Sequence, residues 1–232
     1  MGKIFAIGDL HLPGPDNKHM DVFGTHWRGH FSKIRADWLE RVGPNDLVLI
    51  PGDISWAMTR AQVKPDLDSV LELPGQKVFL RGNHDYWWDS ISRVREMLAP
   101  TATALQCDSY VFEDTVICGT RGWLCPERKD FTKQDQKIYD REGARMRLSL
   151  EDARKNASGV PPRVMMHYPP FNSYDEKTVF VDLFEEFGVT DVIYGHLHGL
   201  KNEQRPFEGV LNGVRYKLVA CDHLRFKLFE WK

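Results

Sequence analysis

Short apolar runs of four or five residues alternate along this chain with longer stretches in which apolar positions recur every three or four residues. The first pattern fits buried strands, the second helices with one face against a core. The first half reads as a strand at residues 3–7 (KIFAI), a helix at 31–42 closed by the turn residues GPND, a strand at 47–50 (LVLI), a helix at 66–73, a strand at 77–80 and a helix at 89–99. Strand and helix in that alternation are the signature of parallel strands joined by crossover helices.

Past Pro100 the pattern changes. SYVFEDTVICG reads as two short strands around Glu113-Asp114, and VLNGVRYKLV carries Asn212-Gly213, a strong two-residue hairpin signal. Between them lie a charged helical segment near residues 133–156, a strand at 163–166 (RVMM), a helix near 179–187 and a strand at 191–194 (DVIY). Parallel units combined with hairpins imply an α/β fold with two mixed sheets, packed face to face with helices outside. No repeat, low-complexity tract or linker interrupts residues 1–232, so a single domain is expected, and a chain this long can bury roughly 70 to 75% of its unfolded surface without staples.

Charge removes some function classes. With 31 Lys plus Arg against 33 Asp plus Glu, mixed along the chain, there is no global field suited to nucleic acid or an anionic membrane. The longest apolar runs are strand-sized, which argues against a membrane span. Cys107, Cys118, Cys125 and Cys221 show no CxxC spacing and no leader-like segment opens the chain, so reduced thiols in a cytoplasm are expected. Met1-Gly2 is a weak myristoylation signal, because position six is Ala6 rather than Ser or Thr.

The candidate chemistry lies where the apolar runs end. KIFAI is followed by Gly8-Asp9-Leu10-His11, LVLIP by Gly52-Asp53, VFLR by Gly82-Asn83-His84-Asp85, RVMM by His167, and DVIY by Gly195-His196-Leu197-His198. In open α/β sheets, ligands bind outside the carboxyl ends of the strands, so these exits would converge on one pocket. Glycine directly before the candidate ligand suits a backbone that must turn sharply or approach closely. Gly-Asp alone is common, whereas a GNHD string is expected by composition in roughly one chain per thousand.

The residue types agree on one chemistry. Asp, His and Asn offer carboxylate oxygen, imidazole nitrogen and amide oxygen with no thiolate, a mixture suited to Mn²⁺, Fe or Zn²⁺. Seven ligands are too many for one ion. Two divalent ions sharing a carboxylate would use them all, in the geometry that clamps the attacking and leaving oxygens of an in-line displacement. Without metal, Asp9 and Asp53 would repel phosphate; two divalent cations make the pocket attract it.

The set D-x-H, GD, GNHD, H and GHxH, here Asp9/His11, Asp53, Gly82 to Asp85, His167 and Gly195 to His198, resembles the calcineurin-like metallophosphoesterase superfamily, in family order from residue 8 to residue 198. The resemblance implies a four-layer αββα sandwich with a dinuclear centre at one edge. It implies that Asp9, His11 and His198 hold one ion, Asn83, His167 and His196 the other, and that Asp53 bridges them. It further implies that His84 is the catalytic general acid, and that a metal-bridging hydroxide attacks phosphorus directly.

Departures from the pattern bear on substrate. Ser/Thr protein phosphatases extend the second motif to GDxxDRG, where this chain reads GDISWAM, so the Asp that would orient the catalytic histidine and the phosphate-binding Arg are missing. MHYPPF resembles the HHPPF variant of bacterial single-domain phosphodiesterases with Tyr168 in place of one His, which favours small phosphodiesters. A phosphomonoesterase, a nuclease or a non-catalytic metal-binding scaffold of the same superfamily are the alternatives.

Substrate contacts are sought beyond the strand ends, at Trp56, Tyr86, Trp87, Arg121 and Trp123, where rings can stack and an arginine can reach phosphate. The segment 13–30, with His19, His26 and His30, reads either as a cap on the site or as a long solvated connection. Arg128, Lys129, Arg141, Arg145 and Arg147 read as a solvated helical face, with an anion-binding cap as the alternative. The substrate expected is a small phosphate ester, with nucleic acid and membrane disfavoured.

Overall fold

The computed structural model describes residues 2–15, 18–98, 100–126, 130–172, 177–200 and 206–232. The first half builds β1 (Ile4–Ala6), α1 (His30–Arg41), β2 (Leu47–Pro51), α2 (Arg60–Leu71), β3 (Gln76–Leu80), α3 (Ile91–Leu98) and β4 (Ala102–Ala104). The second half adds β5 (Ser109–Phe112), β6 (Thr115–Thr120), α4 (Lys133–Asn156), β7 (Pro162–Met166), α5 (Val179–Phe187), β8 (Asp191–Tyr194), β9 (Gly209–Leu211), β10 (Val214–Leu218) and β11 (Phe229–Glu230).

Two mixed sheets result. One has the order β11-β1-β2-β3-β4, parallel throughout except for the antiparallel edge strand β11. The other has the order β5-β6-β7-β8-β10-β9, with a parallel centre and an antiparallel strand at each edge. The edges come from the two hairpins expected from sequence. The Asn212-Gly213 turn has both residues at positive φ, 51° and 82°, as a tight hairpin with the native strand twist requires.

The two-residue period of the strands sorts the core into layers. In the first sheet Phe5, Val48, Ile50 and Phe79 point outward and pack with Ile34, Trp38, Leu67 and Val94 of α1 to α3. In the second, Val116, Val164, Met166 and Val192 point outward against Met146, Leu150, Phe180 and Phe184 of α4 and α5. The alternate residues, Ile4, Leu47, Leu49 and Val78 from one sheet and Ile117, Met165 and Ile193 from the other, fill the space between the sheets. The chain is thus a four-layer αββα sandwich. Strands covered on both faces explain why they read as continuous apolar runs.

Two expected boundaries shift. α2 starts at Arg60 rather than near residue 66, with Pro65 inside the helix. Its first turn is set upstream by Thr59, whose hydroxyl accepts the Gln62 N–H at 3.3 Å. β4 and β11 were not expected, since three-residue and two-residue strands carry too little pattern to register. Among the described residues no helix is long and apolar enough to cross a membrane, and no disulfide joins the four cysteines.

Candidate metal centre

All five strand exits named above lie at the carboxyl ends of β1, β2, β3, β7 and β8, and the structure brings their polar residues into one cluster. Four of its members hold left-handed backbone, Asp9 at φ 56°, His11 at 44°, Asp53 at 52° and His196 at 69°. Such conformations cost on the order of 1 kcal/mol or more for each non-glycine residue, and they concentrate where a fold trades strain for a site.

Glycine makes the close approach feasible. Gly82 lies so near the Asp53 carboxylate and amide that a β-carbon there would overlap both. Gly52, at φ 94°, would place a β-carbon 2.7 Å from the Gly82 Cα and from His167 Nδ1. The two turns are therefore packed backbone on backbone, with the Asp53 side chain between them.

Asp85 joins them further. Its carboxylate accepts N–H groups from Gly82 at 2.7 Å, Asp53 at 2.9 Å, Ile54 at 2.9 Å and Ser55 at 3.3 Å, and from the Trp87 indole at 3.0 Å. Sequence reasoning grouped Asp85 with the polar cluster without giving it a role. It is an organising residue, not a candidate ligand.

Geometry within the cluster is tight. His11 Nε2 lies 3.7 Å and His167 Nε2 3.6 Å from Asp53 Oδ2, and His167 Nδ1 lies 4.0 Å from Asp9 Oδ1. Asn83 Oδ1 lies 2.6 Å from His167 Nε2 and 2.9 Å from His196 Nδ1. The rings of His11 and His198 meet edge on at 4.7 Å. Both Asp9 oxygens accept the His196 N–H at 3.0 Å. All seven residues singled out from sequence, Asp9, His11, Asp53, Asn83, His167, His196 and His198, thus lie in one cluster.

Burial sets the electrostatics. Asp9, Asp53 and His167 are fully buried and His11 nearly so. Burial, reinforced by the neighbouring Asp53 charge, raises Asp9 well above the usual carboxylate range, and burial raises Asp53 too. Burial pushes His167 and His196 down to about 3 and lowers His11 and His198. Neutral imidazoles are the form a cation requires, and a bound cation would hold the two carboxyls ionised against the burial that raises them.

Whether the residues fit divalent metal can be read from unmatched atoms. His167 Nδ1 bonds the Pro51 carbonyl at 3.0 Å, so that nitrogen carries the proton and Nε2 presents a lone pair. That lone pair faces Asp53 Oδ2 and Asn83 Oδ1, acceptor against acceptor. His11 Nδ1 and Nε2 and Asp53 Oδ2 are buried with no hydrogen-bond partner. Two His/Asp triads, His11-Asp53-His198 and Asp9-Asp53-His167, have ligand atoms within 4.8 Å of one another. Asp53 belongs to both. A ring nitrogen fixed by a backbone carbonyl and aimed at carboxylates is the usual outer-shell arrangement of a metal-ligating histidine.

The matched family carries the description calcineurin-like phosphoesterase, and the match spans residues 2–200. The chain belongs to the calcineurin-like phosphoesterase family. That family is one of phosphoester hydrolases that generally use divalent metal ions, and the Asp and His groups of this cluster could hold them. Among sequence relatives, the Gene 66 protein of Mycobacterium phage D29 is 38% identical over 88 residues, 37% of this chain and 41% of that protein. The chain thus matches less than half of that relative's length.

Two solved structures share the fold across nearly the whole chain. A protein of unknown function, AQ665 from Aquifex aeolicus, superposes with TM-score 0.53 at 13% identity, covering 99% of this chain and 96% of the other. Phosphopantetheinyl hydrolase, PptH, from Mycobacterium tuberculosis does so with TM-score 0.58 at 15% identity, covering 99% and 95%. In this calcineurin-like phosphoesterase the positions where GDxxDRG carries Asp and Arg hold Trp56 and Ala57.

The remaining sequence candidates separate on inspection. His84 borders the cluster half-buried, its N–H donating to Asp53 Oδ1 at 2.8 Å and its Nδ1 buried without a partner. Trp56 stacks on His11 at 4.9 Å with planes 20° apart and lies 4.4 Å from the His84 ring, so it forms a wall of the centre. Tyr86 is exposed, its ring centre 6.1 Å from that of His84 with the planes 76° apart. Trp87 is buried and tied to Asp85, which makes it packing. Arg121 sits over the Trp123 ring at 4.7 Å, and the Trp123 indole donates to Asp135 at 3.0 Å.

The 13–30 segment, of which residues 16 and 17 lie outside the described residues, forms two 3₁₀ turns, Met20–Phe23 and Thr25–Trp27. Trp27 is buried with its ring 6.4 Å from His11 and 6.2 Å from His198, and His30 bonds the Leu10 carbonyl at 2.8 Å. This segment caps the centre on one side. Arg128 and Lys129 lie outside the described residues. The solvated-face reading holds for Arg147, which pairs with Glu186 through two bonds of 2.7 Å. It holds also for Arg141, which is exposed although its Nε lies 3.7 Å from Glu142; for Arg145 it is corrected, since that side chain is half-buried and donates to the buried Glu142 at 2.9 Å. Side chains within one helical segment face different directions, which a run of charges does not reveal.

Proposed function

We propose that this protein is a dinuclear metal-dependent phosphoesterase acting on small phosphodiesters. In this reading Asp9, His11 and His198 hold one divalent cation, Asn83, His167 and His196 hold the second, and Asp53 is shared. Manganese, iron or zinc suits the mixed oxygen and nitrogen donors. The observation that carries the reading is the set of buried atoms on His11 and Asp53 left without hydrogen-bond partners, with His11 Nε2 and His167 Nε2 lying 3.7 and 3.6 Å from the same Asp53 oxygen.

When bound, the cations supply Lewis-acid stabilisation of the phosphoryl oxygens and activate water at neutral pH. The chain contributes orientation and proton movement. His84 stands beside the ligands as proton donor to the departing oxygen. Burial lowers its basicity and the Asp53 charge opposes that. An incoming phosphate anion would oppose that lowering and bring it back toward the working range. Trp56 fixes the His84 and His11 rings by packing, in the place where other members carry a charged partner. Tyr86 offers an exposed ring for the ester group, while Arg121, backed by Trp123, supplies a cation to the phosphate-bearing part of the substrate away from the reacting phosphorus.

The balanced charge of the chain supports a small substrate over nucleic acid. The test strips the protein with a chelator, reloads it with Mn²⁺, Fe²⁺ or Zn²⁺, and compares bis(p-nitrophenyl) phosphate, p-nitrophenyl phosphate, single-stranded DNA and RNA. Metal-dependent hydrolysis favouring the diester is expected. Full turnover by metal-free protein, or a preference for the polymers, would refute the reading.

A further inference from the structure

A cavity of about 250 Å³ lies near the centre, lined among others by Arg81, Arg121, Arg141, Arg145, Glu142 and Asp89. Four guanidinium groups face two carboxylates, and both carboxylates are already engaged. Glu142, fully buried, accepts from Thr120 Oγ1 at 2.6 Å and Arg145 Nη1 at 2.9 Å, which leaves Arg121 and Arg141 at 3.9 and 3.7 Å. Asp89 is held by Arg93 at 2.9 Å and Arg60 at 3.4 Å.

Excess donors remain. Arg81 Nε and Arg121 Nε are buried with no hydrogen-bond partner. Burial lowers the basicity of Arg121, and the neighbouring Arg81 charge adds to that. Buried guanidinium N–H groups without hydrogen-bond acceptors, on side chains whose charges repel one another, are unfavourable for the fold. Their planar forks match the oxygens of a phosphate.

The cavity adjoins the metal ligands. Arg81 precedes Asn83 by two residues, a separation of at most about 7 Å along the backbone. Arg121 lies near enough that its charge acts on both Asp53 and His167.

We infer that this pocket is a subsite for a second phosphate, so that the preferred substrate carries two phosphate groups, one hydrolysed at the metal centre and one held by Arg81, Arg121 and Arg141. The inference rests on the phosphoesterase reading for what happens at the first phosphate, but not for the binding of the second.

The experiment uses the metal-loaded protein. Calorimetry compares thymidine 5′-phosphate with thymidine 3′,5′-bisphosphate, and kinetics compares thymidine 5′-(p-nitrophenyl phosphate) with and without a 3′-phosphate. Wild type is expected to bind the bisphosphate about tenfold more tightly, the effect of one charge-assisted pair, and to show a similar gain in kcat/KM through KM. Arg81→Met, and independently Arg141→Met, should bring both ratios toward one. Arg81→Met should keep or raise Tm, because the side chain has no partner to lose.

Equal affinities in wild type overturn the subsite. So do ratios unchanged in both variants, with or without a fall in Tm. Preferential bisphosphate binding without hydrolysis of either ester sustains the subsite and refutes the phosphoesterase reading, whereas equal hydrolysis of both esters does the reverse.

Discussion

The Asp85 carboxylate accepts the backbone N–H of Asp53 at 2.9 Å, and through this bond the exit of β3 fixes the exit of β2. Three further amides and the Trp87 indole converge on the same two oxygens. Burial and the nearby Asp53 charge push this carboxyl up to about 7, and the donated N–H groups keep it from rising further.

Asp85→Ala would leave those donors buried without acceptors. At about 1–3 kcal/mol for each unpaired group, and with strong non-additivity, a loss of at least about 3 kcal/mol is expected in urea unfolding. Asp85→Asn keeps the acceptor oxygen and should cost less. Equal stability of Asp85→Ala and wild type would show that the turns hold themselves.

Gly82→Ala tests the backbone packing from the other side. The added methyl overlaps the Asp53 carboxylate and amide, neither of which can retreat without moving β2. Divalent metal binding should fall at least about tenfold, with a smaller loss of stability, since strain of a few kcal/mol can be relieved by displacing Asp53. Metal titration by calorimetry reads the first effect and denaturant unfolding the second.

Lys77 gives a pH signature away from the centre. On β3 its ammonium bonds the Leu71 and Leu73 carbonyls at the end of α2, a favourable place for a cation, while burial lowers it from 10.5 to about 8. Between about pH 8 and 10.5 the unfolded chain keeps this proton and the folded chain releases it. Stability contributed at this position therefore rises with pH across that window and is flat below it. Wild type should gain on Lys77→Met as pH climbs from 8 to 10, measured by urea midpoints at matched ionic strength. A constant difference between the two would mean that the carbonyl bonds hold the amine near its ordinary value.

What the sequence revealed and concealed follows from the range of the forces involved. α4 and α5 were legible end to end because local capping fixes them: Thr132 and Asp135 cap α4 reciprocally, while Thr178 and Gly188 close α5. β4 and β11 were not, since a three-residue strand and a two-residue strand take their register from neighbours. The seven candidate ligands stood out because each follows an apolar run. The role of Asp85 did not, because a carboxylate satisfied by amides reads the same as one awaiting a cation. The arginine pocket was hidden for another reason: β3, β6 and α4 meet there only in the folded chain.

Metal binding itself should be measurable as stability. Ligands that meet only in the folded chain bind cation in the native state alone, so Tm should rise with metal concentration. At a hundred times Kd the gain is about 2.7 kcal/mol. Asp53 is common to both His/Asp triads, so Asp53→Asn should remove most of the shift. Asparagine tolerates the left-handed backbone at φ 52° better than most residues, and the variant relieves a buried carboxylate, so the metal-free protein should be at least as stable as wild type. Differential scanning fluorimetry with Mn²⁺ and Zn²⁺, alongside metal content by mass spectrometry, reads both effects. A full thermal shift in Asp53→Asn would mean that this carboxylate is not the shared ligand.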